Sequence, residues 1–166
     1  MDQALIFENL HTQYASMVFS LCRGFMKGDR DMAHDLAQDV FINIWNALPG
    51  YRAEASYKTW IYRITVNTCL LQRRKDKNNM KALLEIAFHT IETDTTHVHE
   101  NENVLYRAIG QLDEVDRLII MMVLEEIAYE EIAHIMGITE NNLRVKIHRI
   151  KMKLKTLIEN ERKRIE

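Results

Sequence analysis

Apolar residues recur every three to four positions along most of this chain, the spacing that gathers them on one face of an α-helix. Leu5, Ile6, Leu10, Tyr14, Met17, Val18, Leu21 and Phe25 form a first stripe. Gly28-Asp29 interrupts it, and Asp29 is a suitable N-cap for a second helix carrying Leu36, Val40, Phe41, Ile44, Trp45 and Leu48. Pro49-Gly50 stops that helix. A short polar loop from Tyr51 to Ser56 leads into a third stripe with Trp60, Ile61, Ile64, Leu70 and Leu71. These three helices predict a domain over residues 1–75. Periodicity lapses over residues 76–103, where six acids face two bases around one apolar island from Leu83 to Phe88. That stretch reads as a linker, partly helical at best. Helical spacing resumes at Val104 and predicts a second domain over residues 104–166.

Composition sharpens the fold class. Five glycines and one proline are too few for a strand-and-turn architecture, so both domains are expected to be all-α, with Gly24, Gly28, Gly50, Gly110 and Gly137 as punctuation between helices. The longest apolar run, Leu118 to Leu124, is about a third of a bilayer span, and the first residues lack the layout of a signal peptide. No membrane insertion and a cytoplasmic location are expected. Cys22 and Cys69 lack metal-ligand spacing and suit small core positions, a disulfide or redox role being the alternative. His97, His99 and His148 have no partner at ligand spacing. No metal, cofactor, catalytic residue or small-molecule substrate is expected, because no nucleophile–base pair or ligand cluster is visible.

The net charge of −2 hides a pattern. From Asp113 to Glu131 there are seven acids and one base, whereas Arg144, Lys146, Arg149, Lys151, Lys153 and Lys155 meet a single acid between Glu140 and Lys155. Lys58, Arg63, Arg73, Arg74 and Lys75 form a second basic stretch with no acid. Two separate basic faces predict two separate contacts with phosphate.

The segment from Tyr129 to Lys155 has the pattern of a helix-turn-helix. Ile132, Ala133 and Met136 give a first short helix its buried face, and Ala133 is small where a second helix crosses. Gly137 supplies a left-handed stop, Ile138 is expected to plug the turn into the core, and Thr139 caps the second helix. With Leu143, Ile147 and Ile150 inward, Glu140, Asn141, Asn142, Arg144, Val145, Lys146, His148, Arg149 and Lys151 are left on the outer and flanking faces. Asn and Arg near the start of such a helix read adenine and guanine edges, and the lysines suit phosphates. An amphipathic hairpin with a solvated basic face is the alternative.

Two segments narrow the choice. DLAQDVFINIW from Asp35 to Trp45 and YKTWIYRITVNTCL from Tyr57 to Leu70 resemble region 2 of the extracytoplasmic-function sigma factors. Residues Tyr129 to Lys155, preceded by LDEVDRLI from Leu112 to Ile119, resemble region 4 of the same family. The order and spacing agree over nearly the whole chain. The resemblance implies an alternative sigma factor that directs core RNA polymerase to promoters. By it, Leu36, Gln38, Asp39 and Phe41 belong to the stretch that docks on the β′ clamp helices; helical spacing puts Asp35, Gln38, Asp39 and Asn43 on one polar side, opposite the buried Leu36, Val40 and Ile44. The loop from Gly50 to Tyr57 corresponds to the one that holds a base flipped out of the −10 element, with Tyr51, Arg52, Ser56 and Tyr57 as suitable residue types. Lys58, Thr59, Arg63 and Asn67 follow the strand, and Arg73, Arg74 and Lys75 reach upstream phosphates. Trp60 is expected in the core, and Tyr62 is left unassigned. Region 4 is implied to sit on the β flap and read −35 duplex, and the acidic linker to thread toward the active-site channel. An anti-sigma factor is an implied partner. Asn141-Asn142-Leu143 and Ile147-His148 depart from the family's commonest recognition helix, which leaves the fold intact and shifts the expected −35 sequence.

Two rival readings remain at this level. A dimeric helix-turn-helix regulator predicts tight duplex binding without polymerase, and a protein-only helical adaptor predicts no salt-dependent DNA binding.

Overall fold

The computed structural model describes the backbone of residues 2–84 and 100–165, and the side chains of residues 2–75 and 104–164. The helices are α1 (Gln3–Phe25), α2 (Arg30–Ala47), α3 (Tyr57–Leu84), α4 (Glu100–Gly110), α5 (Glu114–Leu124), α6 (Tyr129–Met136) and α7 (Glu140–Ile165), with a 3-10 turn at Leu48–Gly50. No strand occurs among the described residues. α3 runs past residue 75 to Leu84, and α4 starts at Glu100. The linker read over 76–103 is therefore helical at both ends. Its middle, with Phe88, His97 and His99, lies outside the described residues.

Local chemistry sets the helix ends. Asp29 accepts from the Met32 amide at 3.0 Å and starts α2 as expected. Gly137 closes α6 at φ 69°, and Thr139 Oγ1 accepts from the Asn142 amide at 3.2 Å to start α7. Ser56 was expected at the flipped base, but its hydroxyl accepts from the Thr59 amide at 3.2 Å and so caps α3. Ile138 does not plug the turn: it is 37% exposed, because Leu143, Ile147 and Ile150 already fill the space between α6 and α7.

α1, α2 and α3 form one bundle, and α4 to α7 a second. Leu10, Val18, Leu21, Leu36, Val40, Ile44, Ile61 and Val66 fill the first. Ile109, Leu118, Met122, Ile132, Leu143 and Ile150 fill the second. Replacing Leu143 by Ala leaves a cavity under α7 and should cost about 2–5 kcal/mol of stability, measured by denaturant unfolding.

The two bundles pack on one another through α1 against α4 and α5, and α3 against α6. This departs from the expected pair of tethered domains. The reason lies in α5, whose Leu118, Ile119, Ile120, Met121 and Met122 are all buried. A helix apolar all round needs neighbours on every side, and α5 finds them in α1 as well as in α6 and α7. Gly24, expected as punctuation, lies inside α1 at this contact.

Candidate nucleic-acid and partner-binding surfaces

Three surfaces gather the residues singled out in the sequence. The first lies between α1 and α2, an open groove of about 660 Å³ lined by Phe7, His11, Phe19, Phe41, Ile42 and Trp45 among others. Its aromatic wall is ordered edge to face, with the Phe7 ring 5.2 Å from Trp45 and 6.2 Å from Phe41. His34 stacks on Phe19 at 4.3 Å. Gln38 lines the groove, and Asp35 and Asp39 are exposed on the same helix.

Two of the docking residues sit elsewhere. Leu36 is 2% exposed and belongs to the core, because it lies on the face of α2 shared with Ala33, Val40 and Ile44. Asn43 turns its amide back to Thr68 Oγ1 at 3.0 Å and ties α2 to α3. Trp45, read as part of the core stripe, is 39% exposed, and Ile42 is 57% exposed. Ile42, Trp45, Phe7 and His11 were not singled out for docking. Their positions on a second apolar face of α2 and on α1 are the missed clue.

The second surface is the loop before α3. Tyr51 and Tyr57 stack with centroids 4.2 Å apart and planes 20° from parallel, and Trp60 stands 5.1 Å from Tyr51. The Tyr51 hydroxyl donates to the Ala55 carbonyl at 2.6 Å, which pins the loop. Burial raises the Tyr51 pKa, with the nearby Tyr57 hydroxyl adding to it, so the donor stays protonated. A pocket of about 230 Å³ opens here, lined by Tyr51, Arg52, Glu54, Ala55, Trp60 and Arg63. Trp60, expected in the core, is half-buried on its wall, and Glu54 joins it. Lys58, Asn67, Arg74 and Lys75 are exposed along α3. Tyr62 is 1% exposed, inside the bundle. Burial pushes its pKa well up, with Glu125 and Glu131 adding to it.

The third surface is α7. At 100° per residue, Asn141, Asn142, Val145, His148 and Arg149 share the side opposite Leu143 and Ile150. All five are exposed, Val145 at 53%, and Met152 extends the face at 59%. Arg144 and Lys151 stand on its flank. Arg144 pairs with Glu140 at 2.5 Å and lies 5.3 Å from the centre of the Tyr129 ring. Lys151 donates to the Tyr129 hydroxyl at 3.2 Å. Tyr129 thus holds both cations in place, a role not read from the sequence. Lys146 faces the other way and pairs with Asp116 on α5 at 2.6 Å. Arg73 likewise is engaged, with Glu114 at 2.8 Å.

Among the described residues no group of His, Cys, Asp and Glu is arranged to hold a metal ion. No described helix is long and apolar enough to cross a membrane. Cys22 and Cys69 are free and fully buried. A hydrogen bond between them is the main influence raising the Cys69 pKa, with burial second.

Comparison with known proteins agrees with this layout. Residues 10–79 match the family described as Sigma-70 region 2, and residues 102–154 match Sigma-70, region 4. The RNA polymerase sigma factor YlaC of Bacillus subtilis is 26% identical over 132 residues, spanning 75% of this chain and 76% of that protein. The ECF RNA polymerase sigma-E factor of Haemophilus influenzae is 28% identical over 184 aligned residues, spanning 96% of this chain and 94% of that protein. The sigma factor RpoE of Bartonella quintana, solved in complex with the anti-sigma factor NepR, shares the fold with a TM-score of 0.76 at 17% identity, over 92% of this chain and 96% of that one. The two regions stand in the family's order on the two bundles, and the chain belongs to the extracytoplasmic-function sigma factors, the alternative initiation subunits of RNA polymerase.

Proposed function

We propose that the three surfaces divide the work of a sigma factor, with the α1–α2 groove on core polymerase, the loop before α3 on the −10 element and the outer face of α7 on the −35 element. The observation that carries this reading is the stacked Tyr51 and Tyr57 beside a 230 Å³ pocket at the start of basic α3. Extruding a base costs a few kcal/mol. A pre-stacked aromatic shelf offsets that cost with no ordering of its own, and Arg52, Glu54 and Arg63 offer donors and an acceptor for a base edge. Lys58 and Asn67 continue along the strand, with Arg74 and Lys75 toward upstream phosphates.

The groove suits the β′ clamp helices. Its aromatic floor buries an apolar face, while Asp35 and Asp39 on the rim attract basic residues. Gln38 and Phe41 stay in this set, joined by Ile42 and Trp45. An anti-sigma factor is the expected second occupant of this surface, as one accompanies the Bartonella protein. The chain contributes no bond-making chemistry in this reading, and its place is the cytoplasm, beside polymerase and DNA.

On α7, Arg149 and Asn141 are the foremost base readers, since neither is held by a neighbour. Arg144 and Lys151, clasped around Tyr129, suit phosphates. Arg149→Ala should weaken promoter binding by the holoenzyme about 5- to 150-fold, as expected for a bidentate base contact worth ~1–3 kcal/mol. Arg144→Ala should lose less, and neither should change core polymerase binding. Footprinting across the −35 element with each variant holoenzyme tests this, and equal losses in promoter and polymerase binding would show α7 to be structural.

A further inference from the structure

The outer face of α7 carries a polar side chain at each end of its central row and an apolar one between them. Asn141, Val145 and Arg149 stand four residues apart, so they form one line along the helix with about 6 Å of rise between neighbours. All three are exposed, Val145 at 53%. The line runs down the middle of the face. Arg144 and Lys151, both held by Tyr129, lie about 100–120° round the helix on one side of Val145. Lys153, also exposed, lies about 80° round on the other. With a cation for phosphate on each flank, Val145 is the residue turned most directly toward the groove floor.

The needs of the fold do not account for a valine there. Leu143, Ile147, Ile150 and Leu154 supply the buried face of α7, and Val145 adds nothing to it. A β-branched residue in a helix interior also ranks below the lysine, arginine and glutamate that make up much of this helix. Of the large apolar side chains on α7, only Val145 and Met152 are exposed among the described residues. Met152 lies about 10 Å further along the axis, beyond Arg149.

The major groove offers one apolar feature, the 5-methyl group of thymine. An isopropyl group has no donor or acceptor to offer any other base edge. Against a cytosine or adenine it would cover an exocyclic amine and leave it without a partner, at the cost of that group's lost hydration. Against a thymine it buries a methyl group, and its stiff χ1 leaves little rotamer freedom to lose. We propose that Val145 is a specificity-determining residue that selects a thymine in the −35 element through its 5-methyl group. That thymine lies between the adenine taken by Asn141 and the guanine taken by Arg149, within about two base pairs of each, since 6 Å along the helix spans about two steps of 3.4 Å. The proposal rests on the assignment of α7 to the −35 element above.

Removal of a single methyl group from the DNA tests it. Duplexes with a randomised upstream element, selected by holoenzyme carrying the wild-type chain, should share a thymine at one fixed position. Replacing each thymine of a selected duplex in turn by deoxyuridine takes away the methyl and keeps the base pair. At that one position the change should weaken holoenzyme binding about fourfold, as the loss of one buried methyl group implies. Val145→Ser, of similar helix propensity and at an exposed site, should bind the thymine and uracil duplexes equally. It should also accept other bases at that position while keeping the adenine and the guanine. Circular dichroism confirms that the variant is folded. A wild-type holoenzyme indifferent to uracil at every thymine overturns the proposal, and that scan needs no variant. A Val145→Ser holoenzyme that still prefers thymine to uracil overturns it as well. The −35 assignment fails separately, if a holoenzyme carrying Arg149→Ala selects the wild-type element with wild-type affinity.

Discussion

Replacing Ile42 by Asp should leave the chain folded and weaken its binding to core RNA polymerase by at least about tenfold, a loss of ~1.4 kcal/mol or more. Ile42 is 57% exposed on the rim of the α1–α2 groove, so its replacement removes little from the core. Exposed substitutions of this kind usually change stability by no more than about 0.5 kcal/mol. The same position becomes expensive once a partner covers it, because an apolar anchor is lost and a carboxylate is buried without a counter-charge. Leu36→Ala makes the opposite pattern. Leu36 is 2% exposed, and its truncation should cost about 2–5 kcal/mol of folding stability while touching no partner. Thermal melts and binding titrations with core polymerase separate the two. Loss of stability with Ile42→Asp, or full polymerase binding by it, would remove the groove from the docking surface.

Tyr57→Ala should slow promoter opening by about 5- to 150-fold, the equivalent of ~1–3 kcal/mol for one base stacked on an aromatic ring. Tyr57 forms the shelf with Tyr51, 4.2 Å away, and stands 6.3 Å from Trp60. Its removal leaves Tyr51 pinned by the Ala55 carbonyl but without its stacking partner. Tyr57→Phe, which keeps the ring, should retain most of the activity. Open-complex formation followed with a fluorescent base in the −10 element provides the readout. A template already unpaired over that element should recover part of the deficit, since the cost of melting is then removed. Equal opening by wild type and Tyr57→Ala would show that the shelf only supports the loop.

How much of this was legible in the sequence follows the range of each interaction. Asp29, Gly137 and Thr139 were readable because a cap involves residues two or three apart, and its chemistry is local. The inward face of α7 was readable for the same reason, since Leu143, Ile147 and Ile150 keep one period. The capping role of Ser56 is not legible from sequence, because a hydroxyl that suits a base also suits a helix N-terminus, and α3 begins one residue later. Trp45 differs from its expected core position, whereas Leu36 is buried with the rest of its stripe. Periodicity shows that α2 has apolar positions over a wide arc, but not which part of the arc its own bundle covers. Trp45 and Ile42 fall on the uncovered part, and Leu36 on the covered one.

The packing of the two bundles was the least legible feature. Thr59 and Glu131 are 72 positions apart, and Ser20 and Glu125 are 105 apart. No local pattern joins such pairs. Two traces of the seam were nonetheless present: a run of apolar residues from Leu118 to Leu124 too complete for a one-faced helix, and Gly24 between Leu21 and Phe25 at the end of an apolar stripe. Each had another reading, as a membrane test and as a helix break.

As a sigma factor, this chain should give core RNA polymerase a promoter preference it otherwise lacks. Mapping the 5′ ends of transcripts made from fragmented genomic template by core polymerase, with and without the chain, tests it most directly. New starts are expected only with the chain present, downstream of a shared two-part element with fixed spacing, and they should be lost with Ile42→Asp. Identical starts with and without the chain would contradict it, as would a dimer that binds duplex tightly alone and leaves polymerase unchanged.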